Sequence, residues 1–291
     1  MKSFVSRLII FLALSLFSLC LISTIVLHAI NYQTNDNAIF LWGDSQIFHG
    51  VNLQKLRKST GKKIYSAANG GAGVYDFLVF SEVVPNNSTV IIGVTKLVLI
   101  RKRILDRNSS GISLTALIAL ARNQYSFVEI FDIVDNTKMP TKIFSSFSDL
   151  YPTSDSIVYT ESLLFLKSVF STVPEYYVDK ENIFLLCLEK LENKNCKIVF
   201  LDMPFHPVLN EIKDASLLGV AIDRFRSKIL KRYNCLKIDT LILTSQVQKM
   251  HDLTHLNING ASEVSGFLSS GFLNGFKGKN KTGNAYVFVK L

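Results

Sequence analysis

The stretch AIFLWGDSQIFHG, residues 38 to 50, sets a short apolar run against Gly43-Asp44-Ser45 and then turns polar. A strand that ends on Gly-Asp-Ser and passes directly into a helix leaves the serine at the strand's carboxyl end. In an open parallel sheet that is where helix N-termini and backbone amides gather reactive groups. Ser and Asp are also favoured helix N-caps, so the stretch alone leaves Ser45 open between nucleophile and cap.

Outward from this stretch the same rhythm recurs. Apolar runs at 62–67 (KKIYSA), 89–95 (TVIIGVT), 197–203 (KIVFLDM) and 236–242 (LKIDTLI) are rich in Ile and Val and mostly continuous in apolar character. Continuous runs of this kind predict strands covered on both faces. Helices are expected at about 47–58, 73–84, 180–194 and 211–232, and a last one from Gly260-Ala261 to about Ser270. Two carry apolar residues at helical spacing: Ile183, Leu186 and Leu191 in one, and Leu217, Ile222, Phe225 and Ile229 in the other. Strands alternating with helices predict an α/β fold around a parallel sheet.

The segment from about 97 to 179 interrupts the alternation and reads as an insertion over the strand ends, shaping a pocket or a partner surface. It holds the basic cluster Arg101-Lys102-Arg103, a helix-like run from Ser113 and a Ser-rich aromatic stretch near 144–160. The Gly- and Lys-rich tail after Gly275 reads as a turn followed by an edge strand.

Leu8 to Ile30 carries no Asp, Glu, Lys or Arg over 23 positions, a helix of about 34 Å. That is long enough to span a bilayer. Lys2 and Arg7 precede it and no basic residue follows until Lys55, which places the N-terminus in the cytoplasm by the positive-inside bias. The apolar run is longer than a cleaved signal peptide uses, and Leu27-His28-Ala29 is a poor cleavage site. Phe17-Ser18-Leu19 before Cys20 likewise lacks the small residues of a lipoprotein site. Residues 1–30 are therefore expected to be an uncleaved membrane anchor, and residues 31–291 an extracytoplasmic domain.

The net charge of +9 comes from scattered Lys and Arg, which suits an anionic surface but supplies no nucleic-acid motif; no nucleic-acid partner is expected. Cys187, Cys196 and Cys235 match no zinc spacing. Cys196 and Cys235 each precede a strand-like run, so parallel neighbours would bring them together as a candidate disulfide. The carboxylates and histidines form no dense cluster, and neither a metal nor a cofactor is expected. The glycines of Asn69-Gly70-Gly71-Ala72-Gly73 fit neither a P-loop nor a dinucleotide turn.

The second decisive stretch is HDLTHLNINGA, residues 251–261. A serine nucleophile needs a base, and the base needs a group that fixes its tautomer. Asp252 and His255, three apart before a helix, supply both. Gly43-Asp44-Ser45 after the first strand, the glycine turn after the second, and Asp252-x-x-His255-Leu256-Asn257 before the last helix together resemble the SGNH, or GDSL-type, hydrolase superfamily over about residues 38–270. The resemblance implies a flavodoxin-like three-layer sandwich with a central parallel sheet. It implies Ser45 as nucleophile, His255 as base and Asp252 as its orienting acid, with an oxyanion hole from the backbone N–H groups of Ser45 and Gly71.

The sequence departs from the family at the third block, where Gly-x-Asn-Asp is replaced by Gly93-Val94-Thr95-Lys96. Thr95 or Asn69 is the candidate to replace the missing asparagine. Membrane-anchored relatives that modify envelope polysaccharides look similarly altered, so the expected partner is an acylated glycan or another acyl ester. The expected activity is that of a serine esterase or O-acyltransferase. A catalytically impaired scaffold or carbohydrate-binding subunit of an envelope assembly is the alternative, and a D-alanyl-transfer protein of the teichoic-acid system is a third reading. Of the other histidines, His49 reads as a helix-surface residue, His206 as a packed loop residue, and His251 as the one competitor for His255.

Overall fold

The structure is a computed structural model. It describes residues 2–34, 38–93, 178–203, 206, 217–232, 235–237 and 247–274, and parts of 117–167. The first helix, α1 (Lys2–Thr34), is long and apolar enough to cross a membrane over Phe4–Ile22. Among the described residues none buries its side chains there: Phe11 is 66% and Phe17 67% exposed. A stripe facing a protein core would leave one side buried; over Phe4–Ile22 α1 has no buried side.

The globular part is built on five parallel strands: β1 (Ile39–Trp42), β2 (Ile64–Ser66), β3 (Thr89–Gly93), β4 (Lys197–Asp202) and β5 (Cys235–Lys237). Their order in the sheet is β2-β1-β3-β4-β5. Growth therefore reverses beside β1, which pairs with β2 on one side and β3 on the other. In open parallel sheets the crevice at such a reversal lies outside the carboxyl ends of the strands.

Helices cover both faces. On one, Phe40 and Trp42 of β1 join Val90, Ile92, Ile198 and Phe200 beneath α4 (Val74–Val83), α5 (Val178–Asn193) and α6 (Leu217–Arg232). On the other, Ile39 and Leu41 join Ile91, Val199 and Leu201 beneath α2 (Ser45–Gly50), α3 (Leu53–Thr60) and α7 (Ile258–Asn274). Alternate residues of one strand thus enter two separate cores, which is why the runs read as continuously apolar.

Four local expectations change. The helix expected over 47–58 is two helices, broken at Val51, because the Asn52 side chain accepts from the Lys55 N–H and caps a new start. The strand expected over 236–242 begins at Cys235 and is described only to Lys237. The last helix starts at Ile258 and extends to Asn274. The Cys196–Cys235 disulfide fails on register: β4 and β5 are parallel neighbours, but Cys235 lies opposite Phe200. Four residues of offset separate the two positions by about 13 Å along the strand, beyond the ~7 Å that a disulfide spans between Cα atoms. Cys196 is a free, buried thiol, as is Cys187. Arg101-Lys102-Arg103 and the tail after Asn274 lie outside the described residues.

Candidate active site

The loop between β1 and α2 is only Gly43-Asp44. Asp44 is the helix cap: its carboxylate accepts from the Gln46 N–H at 3.0 Å, and its carbonyl receives the Ile47 and Phe48 N–H groups. The cap residue is thus settled, and the Ser45 hydroxyl is released from that duty. Two glycines let α2 press down on the sheet. A Cβ at Gly43 would stand 2.3 Å from Ile47 Cγ1, and one at Gly93, the end of β3, 2.1 Å from the same atom. Ile47 fills the space both leave empty, and Ser45 sits two residues before it at the strand ends, half-buried.

The partner loop folds back on itself. The His251 N–H donates to the His255 carbonyl at 2.8 Å, closing a turn in which Asp252 and His255 face each other. Asp252 Oδ1 accepts from the backbone N–H groups of Thr254 (2.7 Å) and His255 (2.8 Å) and from the Thr254 hydroxyl (3.0 Å). Oδ2 lies 2.7 Å from His255 Nδ1. His255 Nε2 lies 2.8 Å from Ser45 Oγ.

Protonation states follow from these partners. Burial pushes the Asp252 carboxyl up, but the hydrogen bond and charge of His255, with the two backbone donors, outweigh it and hold the group at about 2. An ionised carboxylate only accepts, so the neutral form of His255 carries its proton on Nδ1 and presents a lone pair at Nε2. Ser45 O–H therefore donates to Nε2. The serine, imidazole and carboxylate form one directed chain, the arrangement by which a hydroxyl is activated as a nucleophile.

The glycine turn after β2 lies against the Ser45 loop. Ala67 N–H donates to the Leu41 carbonyl at 2.8 Å, and Asn69 N–H to the Gly43 carbonyl at 3.2 Å. Gly71 is buried at φ 104°, a conformation that favours glycine. Among the described residues, no hydrogen-bond partner is found for the backbone N–H of Ser45 or of Gly71. Thr95, the other candidate donor, lies outside the described residues.

Three features escaped the sequence. Gln46 is buried, and its Nε2 donates to the Thr254 carbonyl at 2.6 Å, tying the serine helix to the residue before the base. His49 is not a helix-surface residue: it is buried, its ring 5.7 Å from that of His255, and its Nδ1 lies 2.5 Å from the Asp149 carbonyl. Burial lowers its pKa, so Nδ1 donates to that carbonyl from a neutral ring. Tyr151 is packed between the rings of His49, at 4.1 Å, and His251, at 4.0 Å. His251 is therefore occupied in that stack and does not contact Ser45.

Asp149 and Tyr151 belong to the segment read as an insertion, and described residues of it meet the elements around the site. Ser145 bridges to Ser66 at the end of β2, Ser148 Oγ accepts from the Leu53 N–H at the start of α3, and the Tyr151 carbonyl accepts from the Ile258 N–H at the start of α7. The glycine turn, with Asn69 and Gly71, was the sequence signal for the turn that meets the Ser45 loop; nothing local marked Tyr151. His206, buried, holds the far side of the partner loop through its N–H to the Leu253 carbonyl. Asn257 is structural, its Oδ1 accepting from the Asn259 and Gly260 N–H groups that open α7. No group of three or more His, Cys, Asp or Glu placed to hold a metal ion occurs among the described residues. Comparison of the chain with protein-family models and with curated proteins finds no match to either.

Proposed function

We propose that the chain is a membrane-anchored serine esterase or O-acyltransferase of the SGNH type, acting on acyl esters, acetyl esters first among them, of a cell-envelope polysaccharide. The observation that carries the reading is the chain Ser45 Oγ, His255 Nε2 at 2.8 Å, and Asp252 Oδ2 at 2.7 Å from Nδ1. The strand order β2-β1-β3-β4-β5, which matches a flavodoxin-like sheet, supports it. In this reading α1 is the anchor, its N-terminus is cytoplasmic, and the globular part faces outward.

The chemistry runs in two halves. Ser45 Oγ bonds to the ester carbonyl carbon as its proton passes to His255 Nε2, and the carbonyl electron pair becomes an oxyanion facing the Ser45 and Gly71 N–H groups. The oxyanion collapses, the bond to the leaving alcohol breaks, and Nε2 returns the proton to that alcohol. Water then releases the acyl group from Ser45 in hydrolysis; an acceptor hydroxyl does so in transfer. Asp252 holds the imidazole in the required tautomer and stabilises its charged form.

The rival reading, a non-catalytic scaffold or carbohydrate-binding subunit, rests on the missing asparagine after Gly93. One experiment separates the two. Detergent-solubilised full chain is given p-nitrophenyl acetate and a fluorophosphonate probe, beside Ser45→Ala. The expected result is a Ser45 adduct and turnover that falls about 10³-fold or more in the variant. Wild-type protein with neither adduct nor Ser45-dependent turnover would overturn the enzyme reading. Acetylated glycan with and without an acceptor glycan then distinguishes hydrolysis from transfer.

A further inference from the structure

Buried polar side-chain atoms are nearly always hydrogen-bonded, because leaving one unmade costs the full desolvation of the group. Among the described residues five such atoms have no partner: Trp42 Nε1, Gln46 Oε1, Asn69 Nδ2, Arg226 Nε and His251 Nδ1. Four of these belong to residues at the carboxyl edge of the sheet around Ser45, and the fifth lies on α6. Of the four, two are donors by chemistry alone, Trp42 Nε1 and Asn69 Nδ2. Trp42 faces the core, its ring stacked on Phe77 at 4.2 Å. Asn69 is on the turn that leans on the nucleophile's loop.

The placement of Asn69 is fixed by its backbone. Its N–H holds the Gly43 carbonyl at 3.2 Å, two residues before Ser45, and its carbonyl accepts from the Ala72 N–H at 3.3 Å, closing the turn that contains Gly71. The side chain therefore belongs to the same rigid turn as the Gly71 N–H. An amide donor kept buried without a partner among the described residues, on the turn hydrogen-bonded to the loop of a serine aligned for attack, has the properties of a donor reserved for charge that appears only during reaction.

We propose that Asn69 Nδ2 is the third oxyanion donor, supplying from the turn after β2 the amide that the segment after Gly93 lacks. This rests on the esterase reading above and names a catalytic residue that reading does not require. The donor strengthens as the carbonyl oxygen gains charge, so its removal slows the chemical step more than it weakens substrate binding.

The test uses solubilised full chain, p-nitrophenyl acetate and a phenylboronic acid, whose serine adduct carries a tetrahedral anionic centre. Asn69→Ala is expected to lower kcat about 10²-fold or more, with KM changed by less than about 3-fold. Boronate affinity falls in parallel and the thermal midpoint stays close to wild type, since the backbone bonds of the turn are kept. Asn69→Asp keeps the shape but brings a carboxylate to the developing anion, and it falls further. The proposal is overturned if both Asn69 variants retain kcat within about 3-fold, or if kcat and thermal midpoint fall together in both, as a merely structural asparagine requires. It is also overturned if Thr95→Val takes the loss instead. In each of these cases the wild type remains active through Ser45; an inactive wild type removes the esterase reading and this proposal together.

Discussion

The two loops that meet at Ser45 and His255 are held by opposite means. The Ser45 loop has little internal structure beyond the Asp44 cap, and its position comes from distant parts of the sheet: Ile47 lies over Gly43 and Gly93, and a Cβ on Gly50 would meet the Met203 methyl at 2.3 Å. The His255 loop is nearly self-sufficient, since residues 251–255 satisfy one another through seven hydrogen-bond contacts, four of them on the Asp252 carboxylate. A nucleophile placed by the fold and a base oriented by five residues fail in different ways. Damage to the first shows as lost stability together with lost activity, and damage to the second as a loss of activity out of proportion to the loss of stability.

Asp252→Asn breaks the base side and has the largest expected effect. Asn offers an N–H where Oδ2 accepted one, which favours the other imidazole tautomer and turns Nε2 from acceptor into donor toward Ser45. Turnover is expected to fall about 10⁴-fold, with Ser45 adduct formation slowed in step. The same variant has an acid signature. The Asp252 carboxyl is held at about 2, below its ordinary 3.8, so its ionised form stabilises the fold fully above about pH 4. That stabilisation is lost as pH falls toward 2. Urea unfolding of wild type should lose on the order of 1–2 kcal/mol across this window that the Asn variant, having no proton to bind, does not lose. Parallel acid limbs in the two proteins would break the comparison.

Gly93→Ala probes the other side. The added methyl meets Ile47 Cγ1 at 2.1 Å, too close for both to stay, so α2 lifts or Ile47 leaves its rotamer. Overpacking of this kind costs about 1–3 kcal/mol, and a shift of α2 moves Ser45 from His255 and lowers kcat about 10²-fold. Thermal midpoint and kcat fall together, and Ile47→Ala in the same chain restores a large part of both. A Gly93→Ala protein with normal stability and low activity would place Ser45 under local control after all.

The same contrast explains what could be read from the sequence. Strands β1, β3 and β4 were legible because each feeds two cores and so carries no polar interruption, and Asp252 and His255 were legible because their pairing is local. His49 was not: its burial depends on Asp149 and Tyr151, about 100 residues away, and a helical His five residues after a cap looks the same with or without that cover. The break at Asn52 was missed because its N–H is also bound by the Ser265 hydroxyl of α7, a partner invisible to local spacing. The cysteines failed on register, which neighbouring strands share only when their loops make them start level.

Gln46 joins the two sides, and its loss has the smallest expected effect. Its Nε2 holds the Thr254 carbonyl at 2.6 Å, while its Oε1 is buried with no partner among the described residues. Gln46→Met keeps the length and apolar body of the side chain but removes both polar ends. One hydrogen bond worth about 1 kcal/mol is lost, and the orphaned Oε1 is relieved while the Thr254 carbonyl is orphaned in its place, so stability is expected to change by only about 1 kcal/mol. Activity should fall roughly 10-fold, in kcat rather than KM, because the bond running beside the Ser45–His255 contact no longer fixes their separation. Turnover that falls this far with so little change in stability is the signature of a residue kept for the sake of the site. If turnover is unchanged in Gln46→Met, the self-sufficient turn at 251–255 finds Ser45 without help, and the two loops are more independent than their shared hydrogen bond suggests.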